Sequence, residues 1–212
     1  MGEDDADRQG DRHFRPLVAF DFDGTLTARD SFQDFLAWRT SPSGLALGAL
    51  KLAPAAWRYL YQGDRAALKE AMIRQFLGGL TRAELWTETR RYAAERSRAL
   101  LRPDALLCWK RWQARGARLI IVTASPAPIV APFAHGLGAE RLISSKLVFD
   151  QDERVTGALD GANCRGPEKV ARLRAVYGDD VTLEAAYGDS RGDREMLLLA
   201  GERGMRVFKA KP

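Results

Sequence analysis

Histidine and cysteine are nearly missing from this 212-residue sequence, which has two of each, His13 and His135, Cys108 and Cys164. The two histidines share no partner pattern, so neither an imidazole-based triad nor a zinc site has support. The two cysteines lie far apart, form no disulfide framework or metal spacing, and are expected as free thiols. Long apolar runs are missing too. The best candidate, GLALGALKLAPAAWRYLYQG, is interrupted by Lys51, Pro54 and Arg58, whereas a spanning helix needs roughly 18 uninterrupted apolar residues. The opening MGEDDADRQGDRH lacks the apolar stretch of a secretory signal, and Ala6 stands where a myristoylation motif wants Ser or Thr. A cytoplasmic protein is expected, with no internal repeat and no low-complexity segment.

Hydrophobic residues make up 46% and charged residues 29%, the balance of a soluble globular chain. The net charge of +5 is unevenly spread, for residues 31–115 hold 15 Lys and Arg against 7 Asp and Glu. Such an excess is most often a solvated helical surface, and otherwise favours anionic partners. Without an aromatic-rich or groove-reading motif, nucleic acid is not among the expected partners.

Residues 1–14 read as a disordered tail. The spacing then predicts helices over 31–38, 45–61 with a break near Pro54, and 65–77. Thr81 to Glu84 forms a capping box opening a further helix, and Pro103 begins one running to Gln113. From there strands and helices alternate: ARLIIVTAS, a helix over 127–134, RLISS, a hairpin over KLVFDQDERVTGAL turning near Gln151 and Asp152, a helix over 167–177, a strand over 183–187, a helix over 193–200, and MRVF as the last strand. This order predicts an α/β fold with a Rossmann-like parallel sheet covered on both faces. The expected organisation is a core of residues 15–30 and 116–212 with an all-helical cap of 31–115 inserted after the first strand. That places the cap over the carboxyl ends of the strands, where open parallel sheets bind ligands.

Three strands end in polar groups: Asp21 and Asp23 in AFDFDGT, Thr123 in IIVTAS, and Asp189 in AAYGDSRGD. With Asp193 this brings four carboxylates toward one edge, where they would repel one another without a cation. A hard divalent ion held by oxygen, Mg²⁺ first, suits them.

DFDGT at 21–25, the strand ending in Thr123, Lys169 at a helix start, and GDSRGD at 188–193 resemble the four ordered motifs of the haloacid dehalogenase superfamily. The helical insertion resembles the C1 cap of its subfamily IB. The resemblance implies a phosphate monoester hydrolase in which Asp21 is the nucleophile and Asp23 the acid and base. It implies a Mg²⁺ site of Asp21, Asp189 and the carbonyl of Asp23, completed or braced by Asp193, and phosphate contacts from Gly24, Thr123, Ala124 and Lys169. Arg165 is a rival for the role of Lys169. Asp30 falls where the phosphoserine phosphatases of this subfamily carry a substrate-selecting Glu, so a selecting role is expected there.

VTASPAPIV and CRGPEKVARL resemble IB hydrolases of the phosphatidylglycerophosphatase C type, which act on a lipid head group. A small phosphorylated metabolite is nonetheless the first expectation for the substrate. Lys51, Arg58 and Arg65 recur every seven residues and would line one face of a continuous helix. Leu52, Trp57, Leu60 and Tyr61 are expected to pack the cap onto the core; the alternative is an apolar face that touches anionic lipid at the inner face of a membrane. Trp109 and Trp112 are expected in the core. A phospho-accepting signalling domain is the non-enzymatic alternative, although such domains lack both a large cap and an acid at the position of Asp23.

Overall fold

The computed structural model describes residues 15–212; the tail expected over 1–14, and His13 with it, lie outside the described residues. The chain runs β1 (Leu17–Phe20), α1 (Ser31–Arg39), α2 (Pro42–Lys51), α3 (Ala53–Gln62), α4 (Arg65–Leu77), α5 (Arg82–Leu100), α6 (Pro103–Ala114), β2 (Arg118–Pro126), α7 (Ala127–Gly136), β3 (Arg141–Phe149), β4 (Val155–Asp160), α8 (Pro167–Tyr177), β5 (Leu183–Gly188), α9 (Arg194–Leu198) and β6 (Ala200–Met205). The six strands form one sheet in the order β4-β3-β2-β1-β5-β6. All neighbours are parallel except β3 and β4.

All four residues of β1 are buried because both faces of the sheet are covered. Val18 and Phe20 join the apolar set that includes Trp109, Ile129 and Phe133, from α6 and α7. Leu17 and Ala19 join the set of Leu173, Met196 and Leu197, from α8 and α9. The period of two along a strand therefore aims the next odd position, Asp21, toward the α8 side.

Local signals account for several helix starts. Thr81 and Glu84 make the reciprocal capping box at the start of α5, and proline occupies the first turn of α6 and α8. Among the described residues no helix is long and apolar enough to cross a membrane.

The structure departs from the sequence pattern in four places. RLISS and KLVF form a single strand, β3, whose irregular register lets it pair with β2 on one side and turn back against β4. The last strand is Ala200–Met205 rather than MRVF; as an edge strand paired only with β5 it exposes Gly201, Glu202 and Arg203 and shows no apolar alternation. Lys51, Arg58 and Arg65 belong to three successive helices, because the chain breaks at Leu52 and again after Gln62, so they do not share one helix face. The fourth is α6, expected within the helical cap of 31–115. It packs on the sheet instead, with the Trp109 ring 5.0 Å from that of Phe20 and Trp112 Nε1 donating to the Tyr187 hydroxyl at 2.9 Å. Both tryptophans are buried.

Candidate active site

The site begins where β1 stops. Asp21 N donates to the Tyr187 carbonyl at 2.9 Å, which locks Asp21 beside β5 before the chain enters an irregular turn over Phe22–Leu26. Gly24 carries the turn with φ of 79°, and a Cβ there would lie 2.2 Å from Asp189 Oδ2. Only glycine admits both that backbone and that neighbour.

Lys169, in the first turn of α8, is buried beneath these carboxylates. Its ammonium donates to Asp21 Oδ1 at 2.7 Å, Asp193 Oδ1 at 2.6 Å and the Val122 carbonyl at 2.6 Å, which uses all three of its protons. Burial opposes its charge, but Asp21 and Asp193 outweigh burial and lift its pKa to about 12. Burial pushes Asp21 up to about 7, with Lys169 pulling the other way. Asp193 Oδ2 accepts from the Ser190 amide and hydroxyl, each at 2.9 Å, and from the Asp189 amide at 3.2 Å. Against the effect of burial, Lys169 and Ser190 hold the Asp193 carboxyl below its ordinary value.

Asp23 sits apart from this ion pair. Its Oδ1 accepts from Ser31 N at 2.6 Å and its Oδ2 from Ser125 Oγ at 2.5 Å. Burial first, and the charge of Asp30 second, raise its pKa. Two aspartates two residues apart thus have different partners, one a buried ammonium and the other a pair of neutral donors.

Asp21, Asp189 and Asp193 each bring an oxygen within 4.8 Å of the others, a spacing that suits a hard cation. Asp193 already spends both oxygens on protein donors, so it fits a brace. The Asp189 carboxylate accepts no hydrogen bond among the described residues, and burial and Asp193 raise its pKa; it is the group most in need of a positive partner. The carboxylate of Asp23 is turned to Ser31 and Ser125, which leaves its carbonyl as the ligand atom it would offer.

A cavity of about 370 Å³ opens over these groups, lined by Asp21, Asp23, Gly24, Thr123, Ala124, Lys169, Asp189 and Asp193 from the predicted set. Thr123 Oγ1 accepts from Ser125 N at 3.0 Å, which leaves its own proton free to donate. Asp30 stands at the cavity rim, but its Oδ1 accepts from Gln33 N at 2.9 Å and caps α1. Arg165 also lines the cavity, packed over Gly192, while Lys169 makes the contact with Asp21.

Sequence reasoning missed Lys69 and Asn163, and saw Ser125 without giving it a role. Lys69 reaches down from α4 and donates to the Ala124 carbonyl at 2.8 Å and Asn163 Oδ1 at 2.9 Å. Burial lowers its pKa to about 8. Nothing in the spacing of a basic helix marks which lysine turns inward. Ser125 carried a usable signal, since it follows Thr123 by two residues at the same strand end.

A family model described as haloacid dehalogenase-like hydrolase matches residues 18–198. The chain is 54% identical over 196 residues to Protein CicA of Caulobacter vibrioides, covering 92% of this chain and 88% of that one. It is 29% identical over 202 residues to the Inhibition of morphological differentiation protein of Streptomyces azureus, covering 90% and 72%. Among solved structures, the protein with unknown function from Bordetella pertussis Tohama I superposes with a TM-score of 0.72 at 24% identity over 87% of this chain and 86% of that one. A phosphoserine phosphatase in its apo form gives 0.59 at 19% identity over 89% and 84%. Both structural likenesses concern the fold.

Proposed function

This chain belongs to the haloacid dehalogenase-like hydrolase family, and on that premise we propose that it is a Mg²⁺-dependent phosphatase that hydrolyses a small phosphate monoester through a phosphoryl group held on Asp21. The observation that carries the proposal is the unequal pair: Asp21 bound by the buried Lys169, and Asp23 two residues on with a raised pKa and only neutral donors.

In the first step a carboxylate oxygen of Asp21 attacks phosphorus while the bond from phosphorus to the alcohol oxygen breaks, and the proton of Asp23 passes to that oxygen. In the second, ionised Asp23 takes a proton from water as the water oxygen attacks phosphorus, and the bond to Asp21 breaks to release phosphate. Lys169 keeps Asp21 ionised for attack and stabilises charge developing on the transferring oxygens. The hydroxyl of Thr123, the backbone of Ala124 and the turn at Gly24 surround the phosphoryl oxygens. Mg²⁺, with Asp21, Asp189 and the Asp23 carbonyl as its protein ligands and Asp193 as their brace, would neutralise phosphate charge that otherwise repels the nucleophile. Helices α1 to α5 act as the cap that closes over the alcohol, with Lys69 and Asp30 as the cap-side groups nearest it.

Turnover of p-nitrophenyl phosphate tests this. The protein is expected to hydrolyse it with Mg²⁺, to stop when the metal is chelated, and to recover when Mg²⁺ is restored. No turnover with Mg²⁺ would sink the proposal and favour a domain that only accepts phosphate. Asp23→Asn should separate esters by leaving group: an aryl phosphate, whose leaving group needs little protonation, should lose about 100-fold less than an alkyl phosphate. Equal losses would remove Asp23 from the acid role.

Lys69 offers a further check. With its pKa lowered to about 8 by burial, its charge is present below that pH and lost above it. KM for an anionic ester should therefore rise as pH passes through about 8 with little change in kcat. Lys69→Met should show a KM raised by about tenfold at pH 7 and no inflection near 8, on the scale of one charge-assisted hydrogen bond. An unchanged profile would exclude Lys69 from substrate binding.

The alternative substrate, a lipid head group, is favoured by one observation: five large apolar side chains of α2 and α3 are exposed.

A further inference from the structure

Five large apolar side chains, Leu47, Leu50, Trp57, Leu60 and Tyr61, are between 56% and 77% exposed, and all belong to α2 and α3. Of the four residues expected to pack the cap onto the core, Leu52 is half-buried but Trp57, Leu60 and Tyr61 are exposed, and α3 buries none of its residues. Both helices pack against α4, α2 so closely that a Cβ on Gly48 would meet the Phe76 ring at 2.3 Å. The exposed residues lie away from α4, at i, i+3 on α2 and i, i+3, i+4 on α3. Trp57 and Tyr61 lie against each other, with ring centroids 5.2 Å apart.

Between Ser41 and Gly63 the chain carries Lys51 and Arg58 and no Asp or Glu. Asp64, the next acid, caps α4 through Ala67 N and faces Arg58 at 3.4 Å, and Arg65 and Lys69 follow it. We infer that α2 and α3 form a docking surface for an anionic lipid bilayer. The occupant follows from the side chains. Trp and Tyr beside exposed Lys and Arg are the residues that settle at headgroup depth, the lack of acids suits anionic lipid, and two 10-residue helices can lie in an interface but not span it. Arg65, the residue that opens α4 just after α3, also lines the catalytic cavity, so a docked protein would hold the cavity mouth close to the headgroups. The inference goes beyond the phosphatase proposal and does not depend on it.

Co-sedimentation with vesicles tests it, using phosphatidylglycerol mixed with phosphatidylcholine against phosphatidylcholine alone. The wild type should bind the anionic vesicles and leave the neutral ones. The double variant Trp57→Ser with Leu60→Ser should lose about tenfold or more of the partitioning, the scale of two interfacial side chains. Lys51→Glu with Arg58→Glu should lose a comparable factor, and added salt should mimic it. Both double variants change exposed residues and should turn over p-nitrophenyl phosphate as the wild type does, while Asp21→Asn should bind vesicles as the wild type does. The inference is overturned if the wild type ignores anionic vesicles, if the Ser variants bind undiminished, or if the wild type is a dimer that the Ser variants dissociate.

Discussion

Asp21→Asn is expected to lower kcat/KM for any phosphate monoester by about a thousandfold or more, the scale seen when a covalent nucleophile is removed. The amide keeps the shape of the side chain and an oxygen facing Lys169, but it is a poor nucleophile for phosphorus. A general electrostatic role for Asp21 would give a smaller loss, spread between KM and kcat. The loss is expected in kcat, because Gly24, Thr123 and Ala124, proposed above to surround the phosphoryl oxygens, remain. Steady-state kinetics on one aryl ester separates the two, and a variant retaining a tenth of wild-type kcat would contradict the assignment.

Lys169→Met should damage activity and fold together. Removing the ammonium leaves Asp21 and Asp193 facing each other in a buried site, and breaking one partner from a buried ion pair costs about 3–5 kcal/mol. For a chain of this size that is a fall in Tm of roughly 10 °C. The sign with pH follows from Lys169 itself: its folded pKa is raised to about 12, so its contribution is complete at any pH below its ordinary value and is lost only as pH climbs through about 12. In the variant the two carboxylates take over. Asp21, already pushed to about 7 by burial, should bind its proton more tightly without the lysine. The deficit in Tm should therefore be smaller at pH 5 than at pH 8. Thermal melts of both proteins at the two pH values check this, and a deficit that grows toward acid would show that Lys169 does not hold these carboxylates apart.

What could be read from the sequence depended on whether a residue's neighbours were local. The end of β1 was legible because an apolar strand that stops at Asp21 and Asp23 has few explanations, and Gly24 follows from the same turn. Lys169 was singled out by the resemblance of the ordered motifs, with Pro167 marking its helix start. Asp193 was placed at the site, but its task of bracing Lys169 through one oxygen and the Ser190 loop through the other depends on contacts that no spacing reveals. Lys69 is a lysine among many on basic helices, and only the tertiary placement of α4 turns it toward Ala124 and Asn163.

A helix covering a sheet face and a helix in a cap carry the same apolar stripe, so Trp109 was expected in the core, but nothing in α6 announces that it meets Phe20. The same ambiguity explains α3. An amphipathic pattern states that one face is apolar, not what that face touches. In α2 and α3, Leu47, Leu50, Trp57, Leu60 and Tyr61 are exposed, where packing onto the core would have buried them.

The central claim is covalent, and the most direct measurement is of the covalent species itself. Acid quenching during turnover of p-nitrophenyl phosphate with Mg²⁺, followed by peptide mass analysis, should find one phosphoryl group on the peptide that carries Asp21, and none on that peptide from Asp21→Asn. A phosphoryl group on any other residue, or undiminished turnover by Asp21→Asn, would contradict the account.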